Sequence, residues 1–488
     1  MTSSDSATSQ PSPAGKWRKV ALAALLTAYF LWFNWGSLRV HFALDDLGNM
    51  GHYFDYPPWR LVLSNFLPWR GDYRPLGGLF YIPIYHFAGL NPVPYQAVLL
   101  AILLANVYFA YRLVRLLGAG ELAAGLVALV CCYHGGLANL YYNAAFVYDA
   151  MCCCLYLAAL VFYLRIRTRG RLPGVLQTAA FLAILLGALD AKEMAVSVPV
   201  MVLVYEWTYH RPQWGAAPLA AWARGPARTA WMAAGLTLLD IYPKVAGPAA
   251  MTAAEGYRPV FTLERMHDFY IRLYQDLFFS WNWTPGWVVV VGSFGVLAYL
   301  AWRRAGRPGL RFLFWFLVVV PLPIEFLPGK REACFALLMV GGAAFAAVVF
   351  ADAVDAAARF LAREFKLPPG GRRLLAGIMV AAAVLLWVRD QRHLRRDVGG
   401  VPMTSLGSET WDIIGQLRAS GFHARRGSSV AFLDDPFHSF DMYFLARLWL
   451  HDRSGTVHVA RQGPLTAQEL ARMDYVFTIE NRKLIRVR

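Results

Sequence analysis

Residues 20–35 read "VALAALLTAYFLWFNW" and residues 41–54 read "HFALDDLGNMGHYF". The first is an unbroken apolar run inside a span near 19 to 38, and a stretch of about 20 such residues is what a helix needs to cross a bilayer. The second places two adjacent carboxylates, Asp45 and Asp46, directly beyond that span. One acid at such a place is ordinary, because helix ends meet water. Two, followed by aromatics and then by "YRPLGG" at 73–78, call for a use. The "KWRK" ahead of the run gives it the outline of a signal peptide, yet no small-residue cleavage site follows and Trp32, Asn34 and Trp35 crowd its far end. An uncleaved anchor is expected.

The rest of the chain repeats the theme. Of 488 residues, 58% are hydrophobic and only 16% charged, too much apolar surface for one water-soluble core. Apolar segments fall near 19–38, 93–115, 121–139, 143–164, 174–190, 194–209, 229–245, 286–302, 310–327, 332–351 and 374–388, which predicts an all-α polytopic membrane protein of about eleven transmembrane helices. The formal charge of +16 is spread over short connections rather than one basic domain, so it reports topology and not a nucleic-acid partner. With the leader cytoplasmic, "YRLVRLLG", "RIRTRGR", "HRPQWGAAPLAAWARGPAR", "WRRAGRPGLR" and "ARFLAREFKLPPGGRR" all fall on the cytoplasmic side. One run breaks the pattern: "RDQRHLRR" at 389–396 is placed outside.

This reading divides the chain into a disordered cytoplasmic leader at 1–15, a membrane domain at 16–389 and an extracytoplasmic domain at 390–488. The outer side receives loop 39–92, loop 246–285, short turns around 140, 191 and 329, and the last hundred or so residues. In the first loop "PPWRLVLSNFLPW" and "GGLFYIPIYHFAGL" are too short to span with comfort and rich in Trp and Tyr, which suits helices lying along the membrane surface. In the last part "SSVAFLDD", "GTVHVAR" and "YVFTIENRKLIRVR" read as strands and a hairpin, with "SETWDIIGQLRASG" and "TAQELARM" as helices, a small α/β unit. Asp434 and Asp435 lack the spacing of a nucleotide-sugar site and read as capping residues before Pro436. The six cysteines lie in apolar segments without metal or redox spacing and read as small packing residues. His52, His86 and His134 are too far apart in sequence to suggest a metal site.

Chemistry is expected where ionisable residues gather at one membrane level, since charges there are costly unless paired or used. Besides the acidic pair, "YRPLGG" brings Tyr73 and Arg74, "LDAKEMA" brings Asp190, Lys192 and Glu193, and "LPGKREACF" brings Lys330 and Arg331. Each has a plainer reading: Arg74 snorkelling, Lys192 pairing with Asp190 or Glu193, Arg331 capping a helix or pairing with Glu332, Asp149 facing water at a helix end. Taken together, carboxylates and cations on one leaflet suit removal of a proton from a nucleophile while a phosphate leaves.

An acidic pair after the first span, surface helices in a long first loop, a "YRPL" element and a "KE" at an outer turn resemble the GT-C glycosyltransferases. Among these, the likeness is to the protein O-mannosyltransferases, aminoarabinose transferases and related enzymes that use polyprenyl-phosphate sugars. "YRPL" and "AKEMAVSVPVMVLVYE" are similar to the membrane halves of the tetratricopeptide-containing O-mannosyltransferases, over roughly residues 15 to 390. The resemblance implies Asp45 as the base that deprotonates the acceptor and Asp46, where relatives often carry Glu, as its positioning partner. It implies Arg74, Lys192 and Arg331 as ligands of the donor phosphate, although Arg331 lacks the Tyr that usually follows. Tyr73, Glu193, Asp149 and Lys330 would support them. No cofactor is required on this reading, and a divalent cation on the acidic pair stays open because some relatives use one. The expected partners are a polyprenyl-phosphate-linked sugar, an extracytoplasmic acceptor and membrane lipid. The expected location is a bacterial inner membrane with the catalytic loops and C-terminal domain in the periplasm. A transporter or flippase of lipid-linked sugars is the alternative. Its hallmark repeats are not evident in the sequence.

Overall fold

The computed structural model describes residues 13–43, 45–247, 250–279, 283–303, 306–330, 332–396, 404–405, 407–437, 441–480 and 483–488. The leader expected to be disordered therefore lies largely outside the described residues, and so does Arg331.

Every one of the expected apolar runs contains helix. Six helical segments are long and apolar enough to cross a membrane: Trp17–Arg39, Pro92–Leu116, Ala144–Arg167, Pro308–Glu325, Glu332–Glu364 and Pro369–Leu394. A seventh crossing is formed if Glu121–Cys132 and Gly135–Tyr142, bent by 46° at their junction, count as one. The helices Val175–Ala191, Val198–Tyr209, Arg228–Ala246 and Trp287–Arg303 fall short in length or apolarity. The chain is an integral membrane protein with six or seven such spans among the described residues, against the eleven or so expected from runs of apolar residues. The difference arises because windowed hydropathy counts any greasy run, whereas several of these runs break into a short helix and an adjoining turn. At Lys192, for example, the chain leaves one helix and enters a 3-10 turn, Glu193–Ser197, before the next begins.

The first long loop, 39–92, holds short helices where surface elements were expected. Pro58–Leu63 continues through two 3-10 turns, Ser64–Phe66 and Pro68–Arg70, and Leu76–Ala88 follows. Trp59, Phe66 and Trp69 are all exposed, as suits aromatic rings at a headgroup boundary.

The C-terminal part forms a four-stranded sheet from β1 (Ser429–Phe432), β2 (Thr456–Val459), β3 (Tyr475–Glu480) and β4 (Lys483–Arg486), in the order β2-β1-β3-β4. β1 pairs in parallel with β2 and β3, and β3 with β4 antiparallel, the expected hairpin. Parallel pairing requires crossover connections, and the helices Asp441–Leu450 and Ala467–Arg472 supply them. Asp435 accepts from the Phe437 amide at 3.0 Å and pairs with Arg461 at 3.2 Å, so it holds the loop after β1. The helix Pro369–Leu394 runs through position 389, where the sequence suggested a boundary.

This sheet unit is seated on the first long loop, 39–92. Arg447 makes two hydrogen bonds to Asp55, at 2.9 and 2.7 Å, and the Tyr85 hydroxyl meets His451 Nδ1 at 2.8 Å. The His41 ring stacks on Trp411 with centroids 4.5 Å apart. Close approach depends on Gly51, where a Cβ would sit 2.4 Å from Cδ1 of Phe444. We expect Gly51→Leu to force Phe444 away and to raise hydrogen exchange in Asp441–Leu450, while exchange in Pro92–Leu116 stays unchanged.

Candidate active site

The acidic pair divides at the start of the helix Asp46–Phe54. Asp46 is 1% exposed, accepts from the Ala43 amide at 3.0 Å, and feels the buried rings of Tyr81 and Tyr95. It therefore closes the turn that leads into the helix. Asp45, at the N-cap position, is exposed and makes no side-chain cap bond. Its charge acts on the hydroxyl of Tyr148, the second residue of the helix Val147–Arg167.

The "YRPLGG" element explains itself in three dimensions. Arg74 sits at φ 42°, a left-handed conformation uncommon outside glycine. The Tyr53 hydroxyl holds it there, donating to the Arg74 carbonyl at 2.7 Å and lying 3.1 Å from the Tyr148 hydroxyl. The glycines that follow make room for these rings. A Cβ on Gly77 would fall 2.3 Å from Tyr148 Cε1 and 2.7 Å from the Tyr53 hydroxyl, and one on Gly78 would fall 2.9 Å from Leu61 Cδ2. Gly77→Ala should lower stability by about 1–3 kcal/mol, the usual cost of overpacking, read as a lower melting midpoint in detergent.

Arg74 reaches across to the "KE" turn. Its Nε and Nη2 donate to the two carboxylate oxygens of Glu193 at 3.2 and 3.0 Å, and Nη2 also donates to the Tyr257 hydroxyl at 3.1 Å. The guanidinium lies over the rings of Tyr73, Tyr148 and Tyr257 at 4.7, 5.3 and 5.7 Å. Tyr73 joins through its hydroxyl, 3.3 Å from that of Tyr257. Burial alone would favour the neutral acid, but the Arg74 charge and its hydrogen bonds hold Glu193 down to about 2. The reciprocal effect of Glu193 outweighs burial at Arg74 and raises its affinity for the proton.

Lys192 takes a different partner from either expected one. The backbone is extended there, with φ −163° and ψ 148°, so consecutive side chains leave on opposite sides. Glu193 goes to Arg74, while the Lys192 ammonium goes to Asp149 at 2.5 Å and lies 3.4 Å from Cys334 Sγ. Asp149 is thus a buried counter-ion, not a helix-end acid facing water. Burial disfavours the Lys192 charge, yet the Asp149 carboxylate raises its pKa overall. Asp190 turns away to the neighbourhood of Asp240 and Lys244. Lys330 closes the group, its ammonium 4.1 Å from the centre of the Tyr257 ring and close enough to Cys334 to act on its thiol. Beside it Glu332 receives the Asn139 side-chain amide, and its own amide donates to Asp276 Oδ2 at 2.9 Å.

The structure therefore gathers Tyr73, Arg74, Asp149, Lys192, Glu193 and Lys330 about one centre. Tyr53, Tyr148 and Tyr257 complete it and were not singled out from sequence. Tyrosines are frequent in this chain, and nothing local marks these three. Of the acidic pair, Asp45 is open and Asp46 accepts from the Ala43 amide, and no group of three or more His, Cys, Asp or Glu side chains converges among the described residues.

The long helical bundle, with short helices in its first long loop and a small sheet seated on that loop, is a fold that the chain shares with solved membrane-protein structures. The solved structures that share it include ArnT from Cupriavidus metallidurans in the apo state, at 14% identity and a TM-score of 0.53, over 95% of this chain and 93% of that one. The same protein bound to undecaprenyl phosphate matches at 14% identity and a TM-score of 0.50, over 93% and 87%. No family model matches the sequence, and no curated protein matches it.

Proposed function

We propose that the chain is a membrane glycosyltransferase that moves a sugar from a polyprenyl-phosphate donor to an acceptor, with inversion at the anomeric carbon, on the periplasmic side of a bacterial inner membrane. The observation that carries the reading is the gathering of Arg74 and Lys330 at Tyr257 and of Lys192 and Lys330 at Cys334, with the open carboxylate of Asp45 acting on the neighbouring Tyr148. Support for the lipid donor comes from the shared fold, one of whose solved examples is described as bound to undecaprenyl phosphate.

The chemistry assigns one task to each group. Asp45 takes the proton from the acceptor hydroxyl as its oxygen bonds to the anomeric carbon. The bond from that carbon to the phosphate oxygen breaks, and the electron pair stays on the lipid phosphate. Glu193 occupies one edge of the Arg74 guanidinium and fixes its plane, leaving Nη1 to meet the phosphate. Lys330 and Lys192 add positive charge as the leaving group gains its own. Arg331, next to Lys330 in the sequence, is proposed as a further phosphate ligand. The sheet unit seated on the first outer loop would face the acceptor.

The test is sugar release from a panel of radiolabelled polyprenyl-phosphate monosaccharides, in the presence of envelope acceptors. Release by the wild type, with Asp45→Asn binding donor but leaving it intact, supports the transferase. No release by either, with both moving labelled lipid across proteoliposomes, means a transporter instead.

A further inference from the structure

The arginine run 389–396 stood out in the sequence because it placed positive charge on the outer side, and the candidate active site makes no use of it. In the structure the run occupies the end of the helix Pro369–Leu394 and the residues just past it. That end of the bundle is the one that leads to the acidic pair, since Arg395 Nη1 donates to the Trp32 carbonyl at 2.8 Å and the first span ends at Arg39, six residues before Asp45.

Between the two helix ends lies an open groove of about 520 Å³ lined by Leu31, Trp32, Trp35, Gly36, Arg39 and Arg395. Three properties of the groove define what fits it. Its charge is positive: Arg39 and Arg395 line it with no acid among the lining residues, and neither is in an ion pair among the described residues. Its walls are apolar and aromatic, with Leu31, Trp32 and Trp35 exposed. Its setting is lipid, because none of the apolar window of Pro369–Leu394 is buried within the protein, so that helix faces the bilayer. Exposed tryptophans beside arginines at a helix end are the arrangement that meets phospholipid headgroups. Arg395 is already oriented, held by the Trp32 carbonyl and lying 5.7 Å from the Phe33 ring centre, so less freedom is lost on binding. Arg389, Arg392 and Arg396 recur at spacings of three and four on the same helix end and keep the local potential positive.

We propose that this groove binds the phosphate headgroup of an anionic phospholipid of the surrounding leaflet, with the acyl chains lying along Leu31 and Trp32. The site is separate from the candidate active site and does not depend on the transferase reading. It accounts for the one basic run that runs against the charge distribution of the other connections.

Native mass spectrometry of the full chain, released from mixed phosphatidylglycerol and phosphatidylethanolamine, tests it. Each arginine near an anionic headgroup is worth about a five-fold preference, so the wild type should retain phosphatidylglycerol over phosphatidylethanolamine by about twenty-five-fold. Arg39→Gln should cut that preference about five-fold, and because Arg39 is exposed the variant should melt as the wild type does. Arg39→Gln with Arg395→Gln should remove it. Arg169→Gln, an exposed arginine in the connection "RIRTRGR", should leave it intact. Equal retention of the two lipids by the wild type overturns the proposal, as does an unchanged preference in Arg39→Gln or an equal loss in Arg169→Gln. Displacement of phosphatidylglycerol by millimolar inorganic phosphate also overturns it, by making the groove a site for soluble anions.

Discussion

Arg74→Ala is expected to lower sugar transfer per folded molecule by about 10²–10³-fold, the usual consequence of removing one preorganised donor to a developing negative charge. It should also unsettle the fold. Glu193 would be left as a largely buried carboxylate without the guanidinium that holds two of its oxygens, a loss that costs about 3–5 kcal/mol when one partner of a buried pair is removed. The two effects separate in the double variant Arg74→Ala with Glu193→Ala, which removes the stranded charge. Its melting midpoint should recover most of the way while its turnover does not. If turnover returns with stability, Arg74 serves only to satisfy Glu193 and the assignment of the phosphate to it is wrong. The pair should also survive mild acid. Glu193 is depressed from an ordinary 4.5 to about 2, so its stabilising contribution is complete above 4.5 and lost only as pH falls toward 2. A decline in turnover between pH 7 and 5 would therefore belong to another group.

The second large effect distinguishes the two neighbouring acids. Asp45→Asn should abolish proton removal, at a cost of about 10²–10⁴-fold in turnover, with the melting midpoint and donor binding unchanged because its side chain is exposed and caps nothing. Asp46→Ala should do the reverse. It strands the Ala43 amide and costs about 1–3 kcal/mol of stability, while the turnover of the molecules that remain folded stays within a few-fold of wild type. Thermal melts run beside single-turnover assays decide the matter. If Asp46→Ala stays fully folded and inactive while Asp45→Asn still works, the roles are exchanged.

Much of this site could be read from local sequence because its charged members sit in motifs at membrane boundaries, where an ionisable residue is conspicuous against apolar surroundings. Arg74, Lys192, Glu193 and Lys330 were all visible for that reason. Their pairing was not. The extended backbone at Lys192 sends it to Asp149, 43 positions earlier in the chain, and sends Glu193 to Arg74, 119 positions away. No periodicity within one helix encodes such distances. Tyr257 was missed because a tyrosine in a loop carries no signal of its own until Arg74 and Lys330 are found against it. Gly77 shows the intermediate case. "LGG" after a proline could be read as a turn or a flexible start to a helix, and only the approach of Tyr148 and Tyr53 shows it to be a packing requirement.

The sequence by itself determined that the chain lives in a membrane, that its C-terminal part is an α/β unit, and which face of the bundle carries the unusual charges. These follow from hydropathy, period and charge placement, which act over a few to about twenty residues. The tertiary structure alone decided that Asp45 is open and Asp46 enclosed, that Arg74 is clamped by Glu193, and that the α/β unit rests on the first long loop through Gly51 and Phe444. Two adjacent aspartates are chemically identical in a string of letters. Only the burial of one, by residues that helix packing brings together, makes them different.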